Sequence, residues 1–468
     1  MGSPAEPAQP DSGSFRDPTS RVYVANGEIY RTLDERGLSD FVATAKAPFF
    51  TQAIRDGHII GTKVADPVPP GIPDAAQVLK HDRVPYVSYP YEWTFSMLQD
   101  AALLHLDLVR SGLNDGIITK DGSSYNVQWI GSQPTFIDVG SFEPVRDGEP
   151  WFGYRQFCQL FLYPLLLQSH RNLAFQDWLR GAVDGISPDA CRSAMRRRDL
   201  VRKGVFSHVY LQSRLEQRHA DSDEVATDKL KQSGFSTDLI ATNIDKLHRL
   251  ISGLRWKQAN SEWSGYGDRQ HYTGDDLELK REFVVDAAGR SRRNIVIDLG
   301  CNDGEFSKAV LPHADYVVAV DSDPLVVDLL YRSLKAEGHE RILPLTMNLA
   351  DPSPGLGWRG IERKPFLGRQ PVDLVLALAL VHHLSISSNV PLADVVAMFA
   401  DLGGDLVVEF PTPDDPKVQK LLRNKRAGIH DGYTRADFEA ALADHYTVIE
   451  TRQLPGRTRW LYHAEATD

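Results

Sequence analysis

An apolar run that ends in Asp298 and opens into a glycine-bracketed turn, Asn294-Ile-Val-Ile-Asp298-Leu-Gly300-Cys-Asn-Asp-Gly304, constrains what the C-terminal half of this chain can fold into. Ile295, Val296 and Ile297 are β-branched and do not alternate with polar residues. Such a strand is buried on both faces, as in a parallel sheet covered by helices on each side. Gly300 and Gly304 bracket a loop that leads into a predicted helix from Glu305 to Leu311. Ligands of open α/β sheets bind outside the carboxyl ends of the strands. Glycines there let the backbone approach a ligand with no Cβ in the way. A second apolar strand, Tyr316 to Val320, ends in Asp321, 23 residues after Asp298. An acid about 20 residues beyond a glycine loop is placed to accept hydrogen bonds from ribose hydroxyls. Asp303 stands where a pyrophosphate would approach, so this is not a dinucleotide turn; a carboxylate there suits a cationic, phosphate-free nucleoside.

More strands follow in order. Ile342 to Leu345 ends near Asn348 and Asp351, and Val372 to Leu380 runs into Val381-His382-His383-Leu384. Leu406 to Pro411 carries Glu409 at its tip, and Tyr446 to Glu450 with Trp460 to Ala464 reads as a closing antiparallel pair. This ordered set resembles the class I S-adenosylmethionine-dependent methyltransferases, over roughly Tyr266 to His463. The resemblance implies an α/β, Rossmann-like domain with a seven-stranded, mostly parallel sheet and S-adenosyl-L-methionine as cofactor. It implies that Asp298, Gly300, Cys301, Asn302, Gly304, Asp321 and Ser322 surround the cofactor, with Asn348 and Asp351 at the adenine and Leu378 at the strand end facing the methyl group. The segment ahead of the first strand often closes over the cofactor in that family. Tyr266 and Tyr272 are its aromatic candidates, since a ring face attracts a sulfonium by about 0.5–2 kcal/mol; plain packing is the other reading.

Methyl transfer is an in-line displacement, so holding the partners in line and excluding water supplies much of the rate. A base is needed for a weakly acidic hydroxyl or a protonated amine, and His382, His383, Glu409 and His430 are the candidates. The paired histidines also read as one core residue and one helix cap. A metal held by the two histidines, Glu409 and Asp414 matches no specific ligand spacing.

At 468 residues the chain has room for two or three domains at about 150 residues each. Its net charge of −11 argues against a general nucleic-acid or membrane-surface binder. Three scattered cysteines and the lack of any long apolar run or signal pattern lead us to expect a soluble, cytoplasmic protein without a membrane span. Residues 1–19, rich in Pro, Ser, Gly and Asp, read as a disordered leader. A domain over 20–215, a polar linker over 216–235 and the methyltransferase-like domain over 236–468 follow, with Thr237 capping the latter's first helix. Trp151 to Leu167 is dense in aromatics and leucine and reads as helical core. Arg192 to Lys203 is a basic cluster, either a solvated face or an anionic-substrate patch.

Within 20–215, Asn26-Gly27 is a tight-turn dipeptide between two short strands. Ile59 to Val64 and Val84 to Tyr89 are further strand candidates, and Thr94 to Arg110 carries one apolar helical face. Asp121, then Asn126 five positions on, then Asp138-Val-Gly140 after a strand, resembles the catalytic and metal loops of protein-kinase-like phosphotransferases. The resemblance implies Asp121 as catalytic carboxylate, Asn126 and Asp138 as magnesium ligands beside ATP, and Lys63 as the nearest candidate for the phosphate-anchoring lysine. No glycine-rich nucleotide loop is present, and Thr119-Lys120 stands where a His or Arg precedes the catalytic Asp. A working kinase, a degenerate lobe that binds substrate, and a pair of turn formers all remain open. The two halves together resemble bifunctional kinase–methyltransferases that modify bacterial glycans. That analogy points to a saccharide or small-molecule hydroxyl as methyl acceptor.

Overall fold

The computed structural model describes residues 7–213, 236–257 and 274–467. Tyr266, Tyr272 and the whole of the 216–235 linker lie outside them. Residues 7–19, expected to be disordered, begin a sheet instead: β1 (Gln9–Pro10) pairs antiparallel with β2 (Ser20–Ala25). Buried Ala8 packs with Tyr23, Tyr30 and Val78, and Val22 N donates to Ser14 Oγ at 2.7 Å. A proline-rich stretch has few N–H groups to leave unpaired, so it is tolerated as an edge strand. Asn26 (φ +50°) and Gly27 (φ +76°) then take the left-handed pair that a two-residue hairpin needs, and β3 (Glu28–Leu33) returns along β2.

After α1 (Glu35–Lys46), β4 (Thr62–Val64) and β5 (Gln77–His81) complete a five-stranded sheet in the order β1-β2-β3-β5-β4. The expected strand at Val84 to Tyr89 is absent. There the side-chain amide of Gln128 does a strand's work, accepting from Ser88 N at 2.9 Å and donating to Ser88 O at 2.8 Å. Helix α2 (Phe95–Asn114) is capped by Thr94. It is followed by β6 (Ile117–Thr119), the hairpin β7 (Val127–Ile130) and β8 (Gln133–Phe136), and β9 (Phe142–Pro144), which pairs with β6. The aromatic stretch from Trp151 is helical core, with Phe157, Phe161 and Tyr163 fully buried. In the basic cluster, buried Asp199 accepts from Arg202 Nε at 3.1 Å and from Arg196 N at 2.8 Å, so part of its charge is neutralised locally.

The domain boundary expected at 236 is displaced. The first unit takes in helix α3 (Thr237–Ser252) and the excursion 355–363; the second comprises 130–133, 259–354 and 364–468. Ser236, not Thr237, caps α3, accepting from Leu239 N. The helix lays Ile244, Leu247 and Ile251 against α2, where Gln99 Nε2 donates to Ile251 O at 2.6 Å. Its apolar stripe has the same period whichever unit it covers, so periodicity alone assigns it to neither. Arg16 holds the excursion through a two-bonded pair with buried Glu362, both distances 2.8 Å.

In the second unit, α4 (Gly274–Gly289) precedes β10 (Arg293–Leu299), α5 (Glu305–Val310), β11 (Ala314–Asp321), α6 (Pro324–Glu337) and β12 (Ile342–Thr346). Then come β13 (Leu374–Ala377), α7 (Leu392–Leu402), β14 (Asp405–Pro411), α8 (Pro416–Leu422), α9 (Arg435–Ala443), β15 (Tyr446–Gln453) and β16 (Arg459–Ala466). The sheet runs β12-β11-β10-β13-β14-β16-β15, parallel from β12 to β14, with β16 antiparallel to both its neighbours. Strand order reverses between β10 and β13, and ligands of open α/β sheets bind beyond the strand ends at such a switch point. Val296, Val317, Ala319 and Leu376 pack under Phe283, Val284 and Leu330 from α4 and α6. The strand expected to reach Leu380 stops at Ala377, because Ala379 adopts φ +55°. No described helix is long and apolar enough to cross a membrane.

Candidate cofactor site at the strand tips

Register places Asp298 opposite Ala319 and Leu299 opposite Val320, so the carboxylates at the ends of β10 and β11 are neighbours. Between them the loop folds back on the sheet. Gly300 N and Cys301 N both donate to Val320 O, at 2.8 and 3.0 Å, and Gly304 N donates to Cys301 O at 2.9 Å. Gly300, Asn302 and Gly304 have φ of +74°, +49° and +77°. A Cβ on Gly304 would sit 2.7 Å from Leu330, so that glycine allows the loop to close on α6. One on Gly300 would meet only Leu380, at 3.8 Å, so the backbone there is uncrowded on that side.

Partly buried Asp321 orients the loop. Its Oδ2 accepts from Asn302 N and its Oδ1 from Asp323 N, each at 3.0 Å, and burial raises its pKa above the usual carboxylate range. Asp298 is set deeper, 2 % exposed, and takes a 2.6 Å hydrogen bond from Ser307 Oγ on α5. It therefore positions the loop from behind. Buried Cys301 has its thiol pushed well up by burial and is chemically quiet. Ser322 and Asp303 are exposed at the rim. At the tip of β12, Asn348 Oδ1 caps its own turn by accepting from Ala350 N at 3.0 Å, and Asp351 is exposed beside it.

Burial pushes the Asp298 carboxyl up to about 6, against the Ser307 hydrogen bond and Lys280, while Asp321 adds to the rise. Between pH about 4 and about 6 the folded chain holds a proton that the unfolded chain has released, so Asp298's contribution to stability falls as pH rises through that window and is flat above it. In urea titrations, the stability of wild type relative to Asp298→Asn is expected to decline from pH about 4 to about 6. A difference independent of pH would show that Asp298 is ionised throughout.

The candidate bases fare unequally. Leu378 is buried at the end of β13. His382 is completely buried, its ring centroid 4.1 Å from that of His383, which withdraws it from any acceptor. His383 is half-exposed, and burial, Lys417 and Arg459 push its imidazole down to about 4. His430 is half-buried and also shifted down, by burial and then Lys425. Glu409 is a structural anion. It is 0 % exposed, and its two oxygens accept from Lys280 Nζ at 2.6 Å and Arg459 at 2.9 Å. Asp415 takes Arg459 Nε at 2.7 Å, so two anions and two cations close a buried network. Its strand-tip position suggested a base, but the cations that saturate it lie 129 and 50 residues away. No cluster of metal-binding side chains occurs among the described residues.

In the first unit Asp121 Oδ1 accepts from Asn126 Nδ2 at 2.7 Å and from Ser141 Oγ at 3.1 Å. Burial, then Asp138, push the Asp121 carboxyl up to about 7. The cation facing Asp138 is not Lys63, which is exposed on edge strand β4, but buried Arg31, at 2.8 Å. Lys120 is engaged by Gly140 O at 3.0 Å and Asp40 at 3.4 Å.

Among the residues that sequence reasoning passed over, Lys280 and Arg31 gave no local signal. The run Pro416 to His430 did: five lysines and arginines and no acid, in a chain of net charge −11.

No protein-family model matches this chain. The nodulation protein NoeA of Rhizobium meliloti (strain 1021) is 33% identical over 462 residues, spanning 98% of this chain and 96% of that protein. Among solved structures, the N-methyltransferase NodS from Bradyrhizobium japonicum WM9 in complex with S-adenosyl-l-homocysteine aligns with 44% of this chain and 100% of its own, at 11% identity and a TM-score of 0.32. The magnesium protoporphyrin IX methyltransferase ChlM from Synechocystis PCC 6803 with bound SAH aligns with 48% of this chain and 94% of its own, at 18% identity and a TM-score of 0.31.

Proposed function

We propose that this chain, which belongs to the NoeA family of nodulation proteins, binds S-adenosyl-L-methionine in its second unit and transfers the methyl group to a hydroxyl of a small-molecule or saccharide acceptor. One observation carries the reading. Asp321, at the tip of β11, stands next to a loop that its own carboxylate holds open through Asn302 N, at the point where strand order reverses. Such a carboxylate accepts two ribose hydroxyls while the loop backbone passes close by.

The donor set fits a cationic nucleoside: carboxylates at Asp321 and Asp303, open space at Gly300, and an apolar wall at Leu378 and Leu380. The bound cofactor supplies an electrophilic methyl carbon on a sulfonium. Asp321 holds the ribose, Asn348 and Asp351 lie at the adenine end, and the wall beyond β13 keeps water from the transfer line. His383, neutral at ordinary pH with its basicity lowered, accepts a hydrogen bond from the acceptor hydroxyl and orients it; it does not deprotonate the hydroxyl in advance.

Phosphoryl transfer by the first unit is the second reading, favoured by the convergence of Asp121, Asn126 and Asp138. It requires the Arg31–Asp138 pair to break before magnesium can bind, and a degenerate, substrate-holding lobe needs no such step. Calorimetry on the full chain tests both. S-adenosylhomocysteine is expected to bind and Mg-ATP to give no heat. No binding of the homocysteine derivative overturns the first reading, and ATP heat that disappears in Asp138→Ala establishes the second.

A further inference from the structure

The segment Pro416 to His430 holds Lys417, Lys420, Arg423, Lys425 and Arg426 with no acid among them, although acids outnumber bases by 63 to 52 in the whole chain. Its helix α8 packs on the turn His383–Ser387, which follows directly from the end of β13. Lys425 fastens the segment to that turn, its Nζ donating to Asn389 Oδ1 at 3.0 Å and Ser387 O at 3.4 Å. Lys417 is half-buried and lies close enough to His383 to act on it electrostatically. Lys420, Arg423 and Arg426 are exposed and make no ion pair with a carboxylate of any described residue. These three cations recur at three-residue steps with no acid between them, beside the place where an acceptor would approach the methyl group, and raise the local positive potential there.

We infer that this basic segment forms one wall of the acceptor site and that the acceptor carries an anionic group, a carboxylate or a sulfate, which the wall engages. The inference rests on the methyl-transfer reading. Attraction of this kind acts on charge and not on one scaffold, so simple probes report it. It draws an acidic acceptor in, fixes which end enters, and weakens with salt.

The test uses the full chain with S-adenosylhomocysteine present. Fluorescently labelled tetragalacturonate is compared with its methyl ester, and sulfated with plain cellotetraose, so that the two arms separate carboxylate from sulfate. One acidic probe is expected to bind at least tenfold more tightly than its neutral counterpart at low salt. The triple variant Lys420→Gln, Arg423→Gln, Arg426→Gln is expected to weaken that binding about tenfold, or about 1.4 kcal/mol, with its unfolding midpoint unchanged. Equal binding of acidic and neutral probes, no binding of either acidic probe, or no effect of the triple variant overturns the inference. Equally tight binding of a short oligothymidylate overturns it too, because the segment would then be a general polyanion surface. A parallel titration with S-adenosylhomocysteine alone separates the two failures: without cofactor binding, the methyl-transfer reading falls, and the acceptor assignment with it.

Discussion

Glu409→Ala is expected to lower the stability of the second unit by about 3–5 kcal/mol, because removing one partner of a buried ionic network strands the others. Lys280 and Arg459 are both about 5 % exposed at their side chains, and Glu409 holds each of them. Arg459 keeps Asp415 in the variant, but Lys280 loses the carboxylate that accepts from it at 2.6 Å. For a unit of this size the drop corresponds to a fall of about 6–20 °C in the unfolding midpoint, read by circular dichroism. The double variant Glu409→Leu, Lys280→Met is expected to recover much of it, since well-packed apolar groups often replace a buried pair at no cost. The measurement also separates this role from the one the strand-tip position suggests. A general base in that place would leave the midpoint of Glu409→Ala unchanged and abolish turnover.

Features written in neighbouring residues were legible in the sequence. The Asn26-Gly27 hairpin, the buried strand before Asp298, the acid closing β11 and the antiparallel pair at the C-terminus each follow from local periodicity and turn chemistry. What escaped was settled by distant partners. Gln128 substitutes for a strand beside Ser88, and Arg16 draws in Glu362 from 346 residues away. The stripe on α3 fits α2 as readily as it would fit a sheet, and residues 7–19 are ordered by a two-residue pairing with β2 that no composition rule foresees. At the site the same division holds. The place of Asp321 at the end of β11 was legible from the apolar run before it, whereas the burial of His382 and the saturation of Glu409 depend on residues that only the folded chain assembles.

Asp321→Ala is expected to weaken binding of S-adenosylhomocysteine about 10- to 100-fold. A hydrogen bond to a charged group contributes about 1.5–3 kcal/mol net, and each 1.4 kcal/mol is a factor of ten. Two losses act together. The ribose hydroxyls lose their acceptor, and Asn302 N and Asp323 N lose the oxygens that hold the loop in its open, left-handed form. Asp321→Asn separates them, since an amide keeps one oxygen for a backbone donor while surrendering the charge, and an intermediate affinity is expected. The wild-type carboxyl titrates above the ordinary range because it is buried, so cofactor affinity should also fall as the solution is acidified, and this dependence should be absent in the alanine variant. Calorimetry at two pH values reads both effects. An affinity that neither substitution alters would mean that the carboxylate at the end of β11 serves the loop alone, and the strand tips would then lose their claim to the cofactor.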